Sequence, residues 1–258
     1  MDDGILRVIG THHKTGTVLL YRVFRDLSRT FGLSYFVGPQ EYLPNGTEIW
    51  FEDHSRVQLE ALTQPVLGVH VIRHPYEILA SAYRYHLVCG EEWCVSPGYT
   101  NSELSTRPEF RSLFGAGRSY QEVLRSLPPS QGLTLEIWRS RSNIIEMVDW
   151  DYANPRFLEC RLEEFSADFD GTMMRIFTHL GLLNFGETAL RRIAAAHDLS
   201  LRSGRGLMDD PHVTNTAQRR KTFNDVFEED HFRLVGELFP ADLVSRLGYE
   251  AGPDDDCY

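Results

Sequence analysis

The segment from Gly10 to Thr17, GTHHKTGT, gathers groups suited to holding an anion. Lys14 supplies a full positive charge, Thr15 and Thr17 supply hydroxyls, and Gly16 removes a side chain where a phosphate must approach the backbone. His13 and Val18 border the same loop. A Walker A loop, G-x-x-x-x-G-K-S/T, places its lysine after the glycine; here the lysine comes first, which argues against ATP hydrolysis. A Lys and a Gly in such a turn would also serve simply to cap a helix, so the loop needs an independent companion.

That companion is RHPYEILAS, from Arg73 to Ser81. An arginine at a strand end can grip a phosphate bidentately, and Ser81 can add a hydroxyl to the same oxygens. A helix from Pro75 to Ser81 rises roughly 9 Å, a span that a flexed Arg side chain helps to bridge. The plainer alternative is a strand-end Arg with a small Ser facing the core.

The elements that must position these groups are legible in the apolar pattern. Ile5–Ile9 reads as a strand, and Leu20, Val23, Phe24, Leu27 and Phe31 follow a helical period that Gly32 stops. The first loop thus joins a strand to a helix N-terminus, whose free N–H groups and partial positive charge suit phosphate. Val66–Ile72 reads as a fully buried strand, and Pro75 stands where a helix can begin. Tyr35–Val37, Glu48–Phe51 and Phe157–Leu162 are further strands. A helix through Met173, Ile176, Phe177 and Leu180 ends at Gly181, Leu133–Trp150 reads as helical, and two more helices surround Leu190 and Leu234. Strands alternating with helices predict an α/β fold, a three-layer α/β/α arrangement with a central parallel sheet and a P-loop-like phosphate loop. Ligands of such sheets bind beyond the C-terminal strand ends, where both groups fall. The stretch Cys89–Arg118 lacks periodicity, and we expect one domain over residues 1–258 with an insertion or lid at about 88–130.

Composition narrows the class. With 26 basic and 37 acidic residues the formal charge is −11, which opposes general adsorption to nucleic acid or anionic membrane. An anionic ligand must therefore be held by a local basic site. Cys89, Cys94, Cys160 and Cys257 are too scattered for a disulfide framework, and a Cys89–Cys94 bridge is not favoured. No Cys or His pairs stand at zinc-ligand spacing, so no metal is expected. The acidic start MDDGILRVIG lacks the pattern of a secretory leader, and no apolar run reaches membrane-spanning length, so the expected setting is cytoplasmic. Oligomeric state is not readable from the sequence.

HKTGT resembles the 5'-phosphosulfate loop of the sulfotransferases that use 3'-phosphoadenosine 5'-phosphosulfate (PAPS), differing only at its first position. Arg73, Pro75, Ser81 and Tyr83 match every typed position of their 3'-phosphate motif, R-x-P-x-x-x-x-x-S-x-Y. FLECRLEEF from Phe157, with the helix to HLGL at 179–182, is similar to the family's late strand and helix. Arg219, Arg220 and Lys221 resemble the basic loop that closes over the 3'-phosphate, with Thr222 where the family carries Gly. The resemblance implies PAPS as co-substrate, 3',5'-adenosine bisphosphate (PAP) as product, and a small-molecule hydroxyl or amine as acceptor. It is closer to small-molecule and bacterial-type members than to polysaccharide ones. A small-molecule kinase using ATP, or a non-catalytic nucleotide-binding relative, are the alternatives.

In-line sulfuryl transfer needs charge neutralised on the leaving phosphate, a positioned acceptor and a base for its proton. The resemblance gives Lys14 the first task. His54, at the end of the third strand, resembles the base of the family's K-T-H element, and an unperturbed imidazole titrates near neutrality. The family's lysine two residues earlier is Glu52 here, and since carbohydrate sulfotransferases use a Glu as base, Glu52 is the rival. His12 and His13 flank the loop within reach of cofactor or acceptor, and His70, inside an apolar strand, reads as a core residue. Two adenine-packing positions are altered: Leu19 replaces an aromatic and Leu162 replaces the family's tyrosine.

Overall fold

The structure is a computed structural model that describes residues 4–198 and 222–250. In chain order the first elements are β1 (Leu6–Gly10), α1 (Thr17–Phe31), β2 (Tyr35–Val37), β3 (Ile49–Glu52), β4 (Val66–Ile72) and α2 (Pro75–His86). The short helices α3 (Glu92–Val95), α4 (Ser102–Ser105) and α5 (Pro108–Arg111) precede α6 (Tyr120–Ser126) and α7 (Pro129–Val148). Then come β5 (Phe157–Arg161), α8 (Leu162–Ala167), α9 (Phe169–His179), α10 (Glu187–Ala195), α11 (Glu229–Leu238) and α12 (Leu243–Arg246). The chain forms two compact units: Met1–Arg73 with Asp149–Ser203, and His74–Val148 with Gly204–Tyr258.

The first unit is built on a sheet in the order β2-β3-β1-β4-β5, every pair parallel, as the alternation of strands and helices predicts. A parallel sheet is apolar on both faces, and this one is. Ile9, Ile49, Phe51, Val69, Val71 and Cys160 face Leu20, Val23, Phe24 and Leu27 of α1 together with apolar residues of α9 and α10. The alternate residues Leu6, Val8, Trp50, Val66 and Phe157 form a second cluster with Trp150. Gly68 belongs to that face because the Phe157 ring lies 2.2 Å from where its Cβ would stand, which leaves room only for hydrogen. The strand limits lie within one residue of those read from the sequence, β5 ending at Arg161 and not Leu162.

The helix signals act as their chemistry requires. α1 ends where Gly32, at φ 70°, turns left-handed and donates its N–H to the Ser28 carbonyl. Pro75 opens α2 in the first helical turn.

The second unit holds α2 to α7, α11 and α12. The stretch that carries no period in sequence contains α3, α4, α5 and a 3-10 turn at Ser112–Gly117. Four-residue helices span barely one turn, too short for a 3.6-residue repeat to register. Each is set by local chemistry instead: the Asn101 side chain caps α4, Pro108 opens α5, and Ser119 and Glu122 form a reciprocal cap on α6. Trp93, Tyr99 and Phe114 pack around Tyr120, with ring centroids 5.8, 4.9 and 6.3 Å from it. Beneath them the buried Glu136 carboxylate accepts from Tyr120 Oη at 2.6 Å, His86 Nδ1 at 2.8 Å, Ser140 Oγ at 2.8 Å and Arg139 Nη1 at 3.3 Å. Burial alone would raise this carboxyl, but the His86 and Arg139 charges outweigh it and hold it down to about 2. Cys89, Cys94 and Cys160 are free, buried thiols.

Candidate functional site

The first loop leaves β1 at Gly10 and turns into α1, and its own side chains hold it in shape. Thr15 Oγ1 accepts from the His12 N–H at 2.8 Å and donates to the His12 carbonyl at 2.9 Å. Thr17 Oγ1 donates to that carbonyl at 2.9 Å. The two hydroxyls expected to face a phosphate thus brace the turn. The first turn of α1 has no acidic side chain and no side-chain cap, so its N–H groups and partial positive charge suit an anion.

The backbone at the turn is unusual. Lys14 has φ 67° and Gly16 φ 101°, both in the left-handed region. Gly16 fits because it lacks a Cβ; one placed there would meet Leu162 Cδ1 at 2.8 Å. Leu162, which stands at the family's tyrosine position, therefore packs under the loop. His13 and Val18 are half-buried on either side.

The two motifs meet at Arg73. Its Nη1 donates to the Lys14 carbonyl at 3.3 Å, so the guanidinium leaving β4 lies against the loop leaving β1. Ser81 is buried on α2, in the second unit. Arg219, Arg220 and Lys221 lie outside the described residues.

The exit of β3 is tied to the same loop. The Thr11 N–H donates to the Glu52 carbonyl at 3.1 Å, and Ser55 Oγ donates to the Thr11 carbonyl at 2.9 Å. These bonds hold His54 beside the loop, with its side chain 37% exposed. His54 Nδ1 is buried and has no hydrogen-bond partner among the described residues. Glu52 is engaged differently. Its Oε2 accepts from the backbone N–H groups of His54 at 3.1 Å and Arg56 at 2.5 Å, closing the turn. Burial pushes its carboxyl above the ordinary value, opposed by the Arg56 N–H.

A set of residues with no sequence signature lies next to this turn. His12 Nε2 is 2.8 Å from His70 Nε2, and His70 Nδ1 is 2.6 Å from Glu159 Oε2. Trp150 Nε1 donates to Glu159 Oε1 at 2.9 Å, and the Trp150 ring stacks on His70 at 4.2 Å. His70 is thus a core residue with both ring nitrogens engaged, as its apolar strand suggests, yet the partners come from β5 and the first loop. The parallel register aligns Gly10 with His70 and His70 with Glu159, a pairing across three strands that no local pattern announces. Burial, first, and then the charges of His70, His54 and Arg56 hold the His12 imidazole well below its usual range. Burial lowers His70 to about 3.

Among the described residues no group of three or more His, Cys, Asp or Glu is arranged to hold a metal ion, and no helix is long and apolar enough to cross a membrane.

No protein-family model and no curated protein sequence matches the chain. Solved structures to which it is similar include mouse sulfotransferase SULT7A1 complexed with PAP, at 15% identity, covering 92% of this chain and 83% of that one, with a TM-score of 0.46. Retinol dehydratase in complex with androsterone and inactive cofactor PAP is another, at 12% identity, covering 98% and 84%, with a TM-score of 0.42. Retinol dehydratase in a complex with retinol and PAP is a third, at 13% identity, covering 92% and 80%, with a TM-score of 0.40.

Proposed function

We propose that the protein transfers the sulfuryl group of PAPS to a hydroxyl or amine of a small acceptor, releasing PAP. The observation that carries this reading is the contact of Arg73 with the Lys14 carbonyl, because it joins two sequence motifs at one edge of a parallel sheet. In this reading the first turn of α1 and Lys14 hold the 5'-phosphosulfate. Arg73 binds the 3'-phosphate, and Ser81, Arg219, Arg220 and Lys221 are assigned to it by the resemblance of their motifs alone.

The acceptor oxygen or nitrogen attacks sulfur, and the bond from sulfur to the bridging oxygen breaks. PAP leaves with the bonding pair, and its growing negative charge is met by the Lys14 ammonium. His54 takes the acceptor's proton. Glu52 is the weaker candidate, since its Oε2 already accepts two backbone N–H groups.

Thermal unfolding with PAP in the absence of metal, set beside ATP with Mg²⁺, tests the donor side. PAP at a hundredfold excess over its Kd adds about 2.7 kcal/mol of stability. Stabilisation by ATP with Mg²⁺ and none by PAP would favour a kinase. Tight PAP binding without transfer of labelled sulfate to a broad panel of phenols, alcohols and amines would make the protein a binding module.

A further inference from the structure

We propose that His12, His70 and Glu159 form a proton relay that receives, at His12 Nδ1, the proton that His54 has taken from the acceptor and delivers it across the sheet to the Glu159 carboxylate. The proposal rests on the sulfotransferase reading for the source of the proton and on the geometry for its path.

The path is a continuous line of hydrogen bonds: 2.8 Å between the two Nε2 atoms, then 2.6 Å from His70 Nδ1 to Glu159 Oε2. Its interior is dry, with His12 2% and His70 0% exposed, while the Glu159 side chain is 28% exposed and able to exchange with solvent. At its inner end His12 Nδ1 is buried with no hydrogen-bond partner among the described residues, and His54 lies close enough for its charge to act on the His12 ring. Trp150 fixes the outer end by bonding to Glu159 Oε1 and stacking on His70.

Only two neutral proton arrangements satisfy both contacts. With Glu159 ionised, His70 donates from Nδ1 to the carboxylate and accepts at Nε2 from the Nε2–H of His12. His12 Nδ1 then carries a lone pair and is a base. When a proton arrives there, the His12 Nε2–H bond breaks as a His70 Nε2–H bond forms, and the His70 Nδ1–H proton passes to Glu159. Every bond broken is matched by one formed, and both imidazoles finish neutral with their tautomers reversed.

This matters because neither ring readily carries a charge. Burial opposes an imidazolium at both histidines, and the charges of His70, His54 and Arg56 oppose one at His12 as well. The carboxylate is the better resting place: burial, with the Asp151 charge, raises Glu159 to about 7 against the Trp150 hydrogen bond, and Tyr152 and Cys160 are titratable groups coupled to it.

Nitrogen-15 NMR of histidine-labelled protein, free of ligand, between pH 5.5 and 8.5 reads the tautomers directly. We expect His12 and His70 to remain neutral and to exchange tautomers together near pH 7. Glu159→Gln, whose amide cannot take the proton, should lose the switch. PAP bound beside the loop should raise the midpoint by about one unit, because an anion favours the protonated relay. An imidazolium at either position, tautomers fixed across the range, or an unchanged switch in Glu159→Gln overturns the relay. So does a midpoint that PAP leaves unmoved while stabilising the protein. If the variant fails to fold, the wild-type titration alone still decides, since a fixed tautomer pattern refutes the relay. Failure of PAP to stabilise the protein removes the sulfotransferase reading, and with it the source of the proton, independently of the tautomer switch.

Discussion

Arg73 Nη1 donates to the carbonyl of Lys14 at 3.3 Å, so the residue that leaves β4 holds the lysine whose charge the proposed chemistry needs. In the proposed function the arginine has two tasks, bracing the loop and binding phosphate. Arg73→Lys keeps a charge but loses the planar fork. We expect PAP affinity to fall about ten- to a hundredfold, as for a lost charged hydrogen bond of roughly 1.5–3 kcal/mol. Calorimetric titration with PAP measures this; unchanged affinity would remove Arg73 from the site.

Lys14 is held at φ 67°, where a residue with a Cβ costs roughly 1–2 kcal/mol. Glycine relieves that strain, less about 0.5–1 kcal/mol for its freer unfolded chain. Lys14→Gly should therefore leave urea stability equal or raise it by up to about 1 kcal/mol, while sulfuryl transfer from PAPS drops at least ~100-fold. A variant that is stable and still active would remove the lysine's proposed role.

His54 and Glu52 separate by what their loss damages. His54→Ala removes a half-exposed side chain, so transfer should fall about 10²–10⁴-fold with stability changed by no more than about 0.5 kcal/mol. Glu52→Gln weakens the acceptor for two backbone N–H groups, so it should cost about 1–2 kcal/mol of stability and a smaller share of activity. The reverse pattern, read from rates and urea midpoints together, would make Glu52 the base.

Glu136 controls the acid limit of the second unit. Its carboxyl sits at about 2 when folded against an ordinary 4.5, so its contribution is present above about pH 4.5 and is lost as pH falls toward 2. The loss should approach 3 kcal/mol in urea titrations over that window. Glu136→Ala, which leaves His86 and Arg139 without their carboxylate, should cost about 3–5 kcal/mol at pH 7 and flatten the acid dependence. A variant as acid-sensitive as the wild type would shift the cause elsewhere.

What the sequence by itself determined is local. The 3-4 spacing of Leu20, Val23, Phe24 and Leu27 makes α1, the glycines at 16 and 32 bound it, Pro75 starts α2, and the apolar run Val66–Ile72 makes a buried strand. Because α/β sheets offer ligands the C-terminal strand ends, those same marks placed Lys14 and Arg73 at one edge. Helices of four residues escaped because one turn has no period. Only the tertiary structure decided that Thr15 and Thr17 brace the loop, that Glu52 closes a turn while His54 stays half-exposed, and that His70 lies between His12 and Glu159. Parallel pairing brings together residues 58 and 89 positions apart, and the register that does so is set by packing over the whole sheet, which no stretch of local sequence contains.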